Sequence, residues 1–515
     1  MKGNALTRSL YNIFAPSTTR NAPAEQKSED FCRGISRGGA RAVKTAWVCA
    51  AKLLTLLGAE CLYIQCPQGL AVMLKKFLRY VLPSMVAFAF TGLYSIVDGF
   101  FVGNNVGDEG LAAINVAYPL VALINAVGTG IGMGGSVMLS MARGSGDIRS
   151  EKRYLGNTLA YLLLASVAVT AVLVGVYPYL IDIFGAEGIV NGYADTYIFV
   201  LACFATVQIF STGCVPLLRN FGASFGAMAA MAAGFITNIF LDWLFVQRLG
   251  EGIFGAALAT GLGQVVTVLP CAVYLVRKIR AFRGGVFSLS AAYLGRITRV
   301  GLSPFGVLLC PQIITIILNK FLFVHGDELY VAAYSVIMYV YCVDLLLLQG
   351  VGDGTQPLIS EVHGEGNGQA VLKLRNYAYI AALAVAAVLF VVLFLCRNLI
   401  PEAFGAGEFT ARESARILPY FAGSALFTAF SKITASYFYS MDRNIFAYAI
   451  VYGEVAAILV LVLTLPLAWG IDGVWMSLPI SQVVIAVLAV VLLGLFRRRE
   501  RMYPSSPAYT RSAPV

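Results

Sequence analysis

The sequence predicts an all-α membrane protein with twelve transmembrane helices in two pseudo-symmetric six-helix lobes. Three observations predict it. Of 515 residues, 59% are hydrophobic and 12% charged, where soluble domains carry about 25% charged residues. Such a chain cannot clothe a water-soluble globule of this size. Twelve apolar segments lie between Phe77 and Phe496, each near the ~20 residues that cross a bilayer as a helix. The chain also matches itself when shifted by about 220 residues.

Residues 1–72 come first. The opening 45 or so are polar, and Ala46–Leu74 is weakly apolar but broken by Lys52, Glu60, Gln65 and Pro67, so it is not counted as a span. A segment with so little to bury is expected to be disordered, or an artefact ahead of a natural start at Met73. There MLKKFLRYVLPS sets basic residues before the first strong helix. No signal-peptide pattern opens the chain.

The spans are placed at Phe77–Val102, Leu111–Ala142, Tyr154–Tyr177, Tyr193–Leu218, Gly226–Val246 and Ile253–Val276, which make an N-terminal lobe over 73–283. Ile297–Val324, Tyr330–Ile359, Tyr377–Cys396, Ile417–Tyr439, Ile445–Trp469 and Val474–Phe496 make a C-terminal lobe over 284–499. Residues 500–515 are expected to be a disordered cytoplasmic tail.

Alternate loops carry opposite charge. Lys75, Lys76 and Arg79, then Arg143, Arg149, Lys152 and Arg153, then Arg277, Lys278, Arg280 and Arg283, then Lys373 and Arg375, then Arg497–Arg499 fall on one side. Asp108, Glu109, Asp182, Glu187, Asp327, Glu328, Glu402 and Glu408 fall on the other. Basic loops stay in the cytoplasm, so both termini are expected there. This also accounts for the net charge of +10 without a nucleic-acid partner.

The repeat pairs GIGMG at Gly130 with GVGDG at Gly350, FGA at Phe184 with FGA at Phe404, and LPS at Leu82 with LSP at Leu302. Six spans per half is an even number, so the halves are parallel repeats, an arrangement of secondary transporters. A channel would need a filter loop or charge rings, and the loops contain no such motif. GTGIGMGGS, from Gly128, resembles a phosphate loop but follows no strand. Gly128 with Gly132, and Gly130 with Gly134, are spaced for close helix packing.

Polar residues inside spans point to function, because they are expensive there. The first span holds Pro83, a candidate helix bend, and Asp98; the fifth holds Asn238 and Asp242, four apart on one helix face. Both spans run outward, and both acids sit about a turn from the outer end. Asp98, Asn238 and Asp242 are therefore expected to line one cation-coupling cavity. A buried carboxylate that meets water on one side and then the other can carry a proton between them. Two carboxylates and an Asn carbonyl could instead cage sodium. The alternative is that each Asp snorkels to the interface.

The second lobe differs. Asn319 stands where Asp98 would be, while Asp344 and Glu454 are candidate substrate or ion contacts. Lys320 and Lys432 are also within spans, and a Lys432–Glu454 pair is the plainer reading. Asp353 and Glu361 lie toward the cytoplasmic end and are expected to be solvated. Ten cysteines form no C-x-x-C pair, and His325 and His363 end segments without clustered partners, so neither a metal site nor a cofactor is expected.

These residues carry a resemblance. LPS…LYSIVDGFFVGNNVG, LAAINVAYPL, GIGMGGSVMLSMARGSGD, NIFLDWLFVQRLGEGIFGAALAT and GVGDGTQPLISEVHGEGN resemble the multidrug and toxic compound extrusion (MATE) family, most closely its bacterial efflux members. The resemblance covers nearly everything from Met73 to Phe496. It implies two lobes around a V-shaped central cavity and alternating access. It also implies export of organic, often cationic compounds in exchange for protons or sodium, from a bacterial plasma membrane. The family's first-span Pro and Asp fall on Pro83 and Asp98, and its fifth-span Asn-x-x-x-Asp on Asn238 and Asp242. A seventh-span Glu found in one branch has no counterpart in IILNKFLF. The expected partners are a small organic substrate and membrane lipid, with the chain as a monomer. A flippase of lipid-linked oligosaccharide is the alternative, although an acidic interior disfavours it. A membrane-embedded enzyme would need a paired catalytic motif that the two histidines do not supply.

Overall fold

The computed structural model describes residues 67–502 apart from 185–187, 283, 285 and 405. The expected extension up to residue 66 and the tail from residue 503 lie outside the described residues. Twelve long helices run through the rest. The first lobe holds α1 (Pro67–Asn105), α2 (Asp108–Gly144), α3 (Ile148–Phe184), α4 (Gly188–Asn220), α5 (Ser224–Asp242) and α6 (Gly252–Ala281). The second holds α7 (Ala291–His325), α8 (Glu328–Gly364), α9 (Gly368–Cys396), α10 (Glu408–Ser440), α11 (Asn444–Trp469) and α12 (Ile471–Met502). A π-helical turn, Trp243–Arg248, extends α5, and a short helix, Leu399–Ala403, follows α9. The first helix begins at Pro67, six residues before Met73.

The repeat governs the geometry to the residue. Helices α2 and α8, α4 and α10, and α3 and α9 start at positions about 220 residues apart. Even the turns correspond. Gly146 and Gly366 both take φ of 76°, a left-handed backbone that suits glycine. The next residues, Asp147 and Asn367, then accept from the backbone N–H of Ser150 and Ala370, each at 3.0 Å, and cap α3 and α9.

Eleven of these helices are long and apolar enough to cross a membrane. The exception is α10, which contains the expected tenth span but is rich in Ser and Thr. It packs among α8, α9, α11 and α12 at the centre of the second lobe. Many of its hydroxyls are satisfied within the helix: Ser414, Thr428, Ser431, Thr434 and Ser440 each donate to the carbonyl four residues earlier, while Ser436 donates to the Gly352 carbonyl of α8. Helix α4 holds the matching place in the first lobe.

The lobes join mainly along two seams, α2 against α7 and α1 against α8, and α2 also meets α8. Each is cut by repeat-related glycines. A Cβ on Gly130 would lie 3.0 Å from Phe305 Cβ, and one on Gly134 would strike the Ile297 carbonyl. On the other seam, Cβ atoms at Gly350 and Gly354 would lie 2.7 Å from the Cα atoms of Met85 and Val81. Gly128 and Gly132, one face round on α2, meet Ile209, Thr212 and Gly213 of α4 instead. The glycine run thus serves packing, on two faces at once. Both seams occupy the half of the molecule where the Lys- and Arg-rich turns lie, here termed the basic end. The lobes meet closely there.

Asp353 departs from expectation, while Glu361 stays partly exposed. Asp353 is 2% exposed and bonds Arg219 of the first lobe at 3.0 Å, while Glu361 bonds Lys76 at 3.2 Å. The lobes cover a helix face that the sequence alone would give to water.

Candidate functional site

Helices α1 and α5 pack side by side, and this contact assembles the expected trio. Asp98 is 6% exposed, Asn238 2% and Asp242 0%. The two carboxylates lie within electrostatic reach of each other. Close packing of α5 on α6 makes the arrangement possible: a Cβ on Gly263 would lie 3.0 Å from the Cβ of Asn238. Helix α1 runs unbroken through Pro83, whose missing N–H frees a carbonyl a turn earlier. The π-helical turn begins directly after Asp242, a distortion frequent at functional sites.

Three further residues were not legible as site members. Thr260 of α6 meets the Tyr94 hydroxyl at 2.9 Å and accepts from Asn238 Nδ2 at 3.5 Å. Tyr94 also stacks on Phe235, with ring centroids 5.5 Å apart. Tyr197 of α4 lies within reach of both carboxylates. A Thr or Tyr in an apolar span carries no signal of its own, so only the packing of α4 and α6 on α5 reveals these.

Acceptors outnumber donors in this cluster. Asp98 Oδ1, Asn238 Oδ1 and both carboxylate oxygens of Asp242 are buried without a hydrogen-bond donor. Burying such groups unsatisfied costs roughly 1–3 kcal/mol each, more when charged. A bound proton or a small hard cation is the chemistry that offsets the cost. Among the described residues, no group of three or more His, Cys, Asp or Glu could hold a metal ion, so a cation ligated here would draw on Asn238 and the hydroxyls.

The second lobe has its own polar interior. Asp344 is 1% exposed, and neither carboxylate oxygen has a donor. Glu454 accepts from Gln482 at 2.6 Å. Lys432, Glu454 and Gln482 line one crevice with Cys310, Pro311 and Thr428. Lys432 lies within electrostatic reach of Glu454 and Asp344, yet among the described residues no ion pair within 4 Å joins it to either. The expected Lys432–Glu454 pair is thus replaced by an amide contact from α12. Asn319 is half-buried, and Lys320 is exposed on the surface of α7.

Comparison with known proteins agrees with this architecture. The MatE family model matches residues 83–244 and 305–469, one block in each lobe. The chain is similar to the multidrug export protein MepA of Staphylococcus saprophyticus, 23% identical over 440 residues that span 82% of this chain and 94% of that protein. MepA of Staphylococcus aureus is 22% identical over 436 residues, with the same coverage. Among solved structures, an outward-facing multidrug resistance MATE transporter superposes with a TM-score of 0.79 at 24% identity, over 86% of this chain and 100% of that one. A transporter of the MOP superfamily from Pyrococcus furiosus gives 0.78 at 24% identity, with the same coverage. Matched in both of its repeats by one family model, this chain belongs to the MatE family of membrane transporters.

Proposed function

We propose that the protein exports organic cations in exchange for a proton or a sodium ion, by alternating access of its two lobes. The observation that carries this reading is the surplus of buried acceptor oxygens on Asp98, Asn238 and Asp242. A coupling cation enters from the end opposite the basic one and takes these oxygens. Its binding changes the relative cost of the two lobe arrangements, and only such a differential affinity can drive the change. The basic end is the cytoplasmic one, with both termini on that side of a bacterial plasma membrane, and the chain acts as a monomer. Asp344 and Glu454 contact substrate or ion in the second lobe. Similarity to the multidrug export proteins MepA supports a drug-like substrate.

Reconstitution tests this. Ethidium efflux is followed in proteoliposomes under a proton gradient and, separately, a sodium gradient. Acceleration by one gradient, lost in Asp98→Asn, is expected. Gradient-independent ethidium flux, or unchanged coupling in Asp98→Asn, would count against the reading.

A further inference from the structure

Arg219 ends α4 at the basic end, and Asp353 faces it from α8 of the other lobe. Both side chains are 3% exposed. Arg219 Nη1 donates to Asp353 Oδ2 at 3.0 Å, and Nη2 points at Met231 Sδ, 3.8 Å away. The Phe88 ring lies under the guanidinium, 5.3 Å from its centroid. The second oxygen of Asp353 accepts from Gln349 at 2.7 Å. A carboxylate, an aromatic face, a thioether and an amide are the groups that recognise an organic cation. Here they hold one that belongs to the chain.

Two features set this apart from a structural ion pair. The first is its asymmetry. The repeat places Tyr439 where Arg219 would be and Met133 where Asp353 would be, so the same junction on the other side of the pseudo-axis has no ion pair. A buried pair must repay the desolvation of both charges, and apolar residues often serve stability as well or better. The second is its division between lobes. Asp353 and Gln349 lie on one lobe, Phe88 and Met231 on the other. Beside them Asn220 and Gln356 exchange amide bonds of 2.9 and 3.2 Å across the same junction.

We propose that Asp353 is a cation acceptor for the transported substrate at the basic end, and that Arg219 is its tethered occupant in this conformation, displaced by an organic cation when the lobes part. This rests on the transport reading above. Separation of the lobes strips Asp353 of its guanidinium and leaves Gln349 beside it. Glu361, two turns along the same face of α8, is freed from Lys76 in the same movement. An entering cation then meets two acids in succession. The basic end recloses when the cation leaves Asp353 and Arg219 returns.

The test uses the purified full-length protein and methylguanidinium, which fits the place of the Arg219 head group. Arg219→Ala is expected to bind methylguanidinium, measured by calorimetry, at least tenfold more tightly than the unaltered protein. Arg219→Ala with Asp353→Asn should lose that binding, and ethidium should displace it from Arg219→Ala. Equal binding with and without Arg219, binding that survives Asp353→Asn, or no competition by ethidium would overturn the proposal. A second readout needs no added binding assay. Ser84 is 2% exposed, buried in the α1–α8 seam against Gly350 and Gly354. With Ser84→Cys, alkylation by a membrane-impermeant maleimide at the basic end should quicken several-fold in Arg219→Ala and slow again with methylguanidinium. An unchanged alkylation rate would also overturn it. Arg219→Gln, which keeps most of the side-chain volume, takes the place of Arg219→Ala if the latter does not fold. Gradient-driven efflux that persists while methylguanidinium binding fails sinks this proposal alone. Binding and competition without gradient-driven exchange sinks the transport reading instead.

Discussion

Gly301 of α7 and Gly130 of α2 meet backbone to backbone: a Cβ on Gly301 would strike the Gly130 carbonyl oxygen and lie 2.8 Å from its carbon. No side chain separates the lobes at this point. Gly301→Ala is expected to destabilise the protein by about 1–3 kcal/mol through overpacking. Gly295, on the same helix, has nothing within 4 Å of its Cβ position, so Gly295→Ala should be neutral or stabilising by up to ~1 kcal/mol from helix propensity. Thermal denaturation in detergent compares the two. Equal effects would mean that the seam tolerates a methyl group.

At the proposed cation site, stability and transport should separate. Asp98→Asn and Asp242→Asn keep the shape of each side chain and remove a buried carboxylate that lacks donors. Thermal stability is expected to hold or rise, while gradient-coupled ethidium efflux falls at least tenfold. Denaturation curves and proteoliposome flux, measured on one preparation, check both halves.

Lys432 and Glu454 share a crevice without touching as an ion pair. A double-mutant cycle of Lys432→Met and Glu454→Gln should still return a coupling of about 0.5–3 kcal/mol, because each single change leaves the other group's charge less compensated. Strict additivity in unfolding midpoints would mean that water screens the two from each other.

The matched caps give a pH test with an internal control. Burial pushes the Asp147 carboxyl up, but hydrogen bonds from Ser150 and Arg149 and the Arg149 charge outweigh it, and the pKa is lowered overall. A lowered folded-state pKa contributes stability above the ordinary carboxylate range, and this is lost as pH falls through the folded value. Asp147→Ala should therefore cost about 0.5–2 kcal/mol at neutral pH and less in acid. Asn367→Ala, on the repeat-related helix, should cost a similar amount at every pH. Unfolding midpoints across an acid-to-neutral series check the contrast.

Much of the fold was legible because a bilayer constrains a chain so strongly. Span length, loop charge and the 220-residue shift fix helix number and lobe division, and Asp98, Asn238 and Asp242 stand out because carboxylates in apolar spans are costly. Contacts between lobes were not legible. Asp353 reads as solvated from its position along α8, and only the approach of α4 from the other half buries it against Arg219. Thr260 and Tyr94 were invisible for a related reason: hydroxyls inside helices are common, and their partners are decided by which helices become neighbours.

The polarity of α10 bears on how the protein is made. Spans leave the insertion machinery for lipid according to their own affinity for hydrocarbon, and a segment with so many hydroxyls gains little there alone. It must linger beside the translocon until α11 and α12 emerge to shelter it. The second half is then delivered as a block rather than span by span, and a nascent chain cut after Ser440 should fail to anchor its last segment.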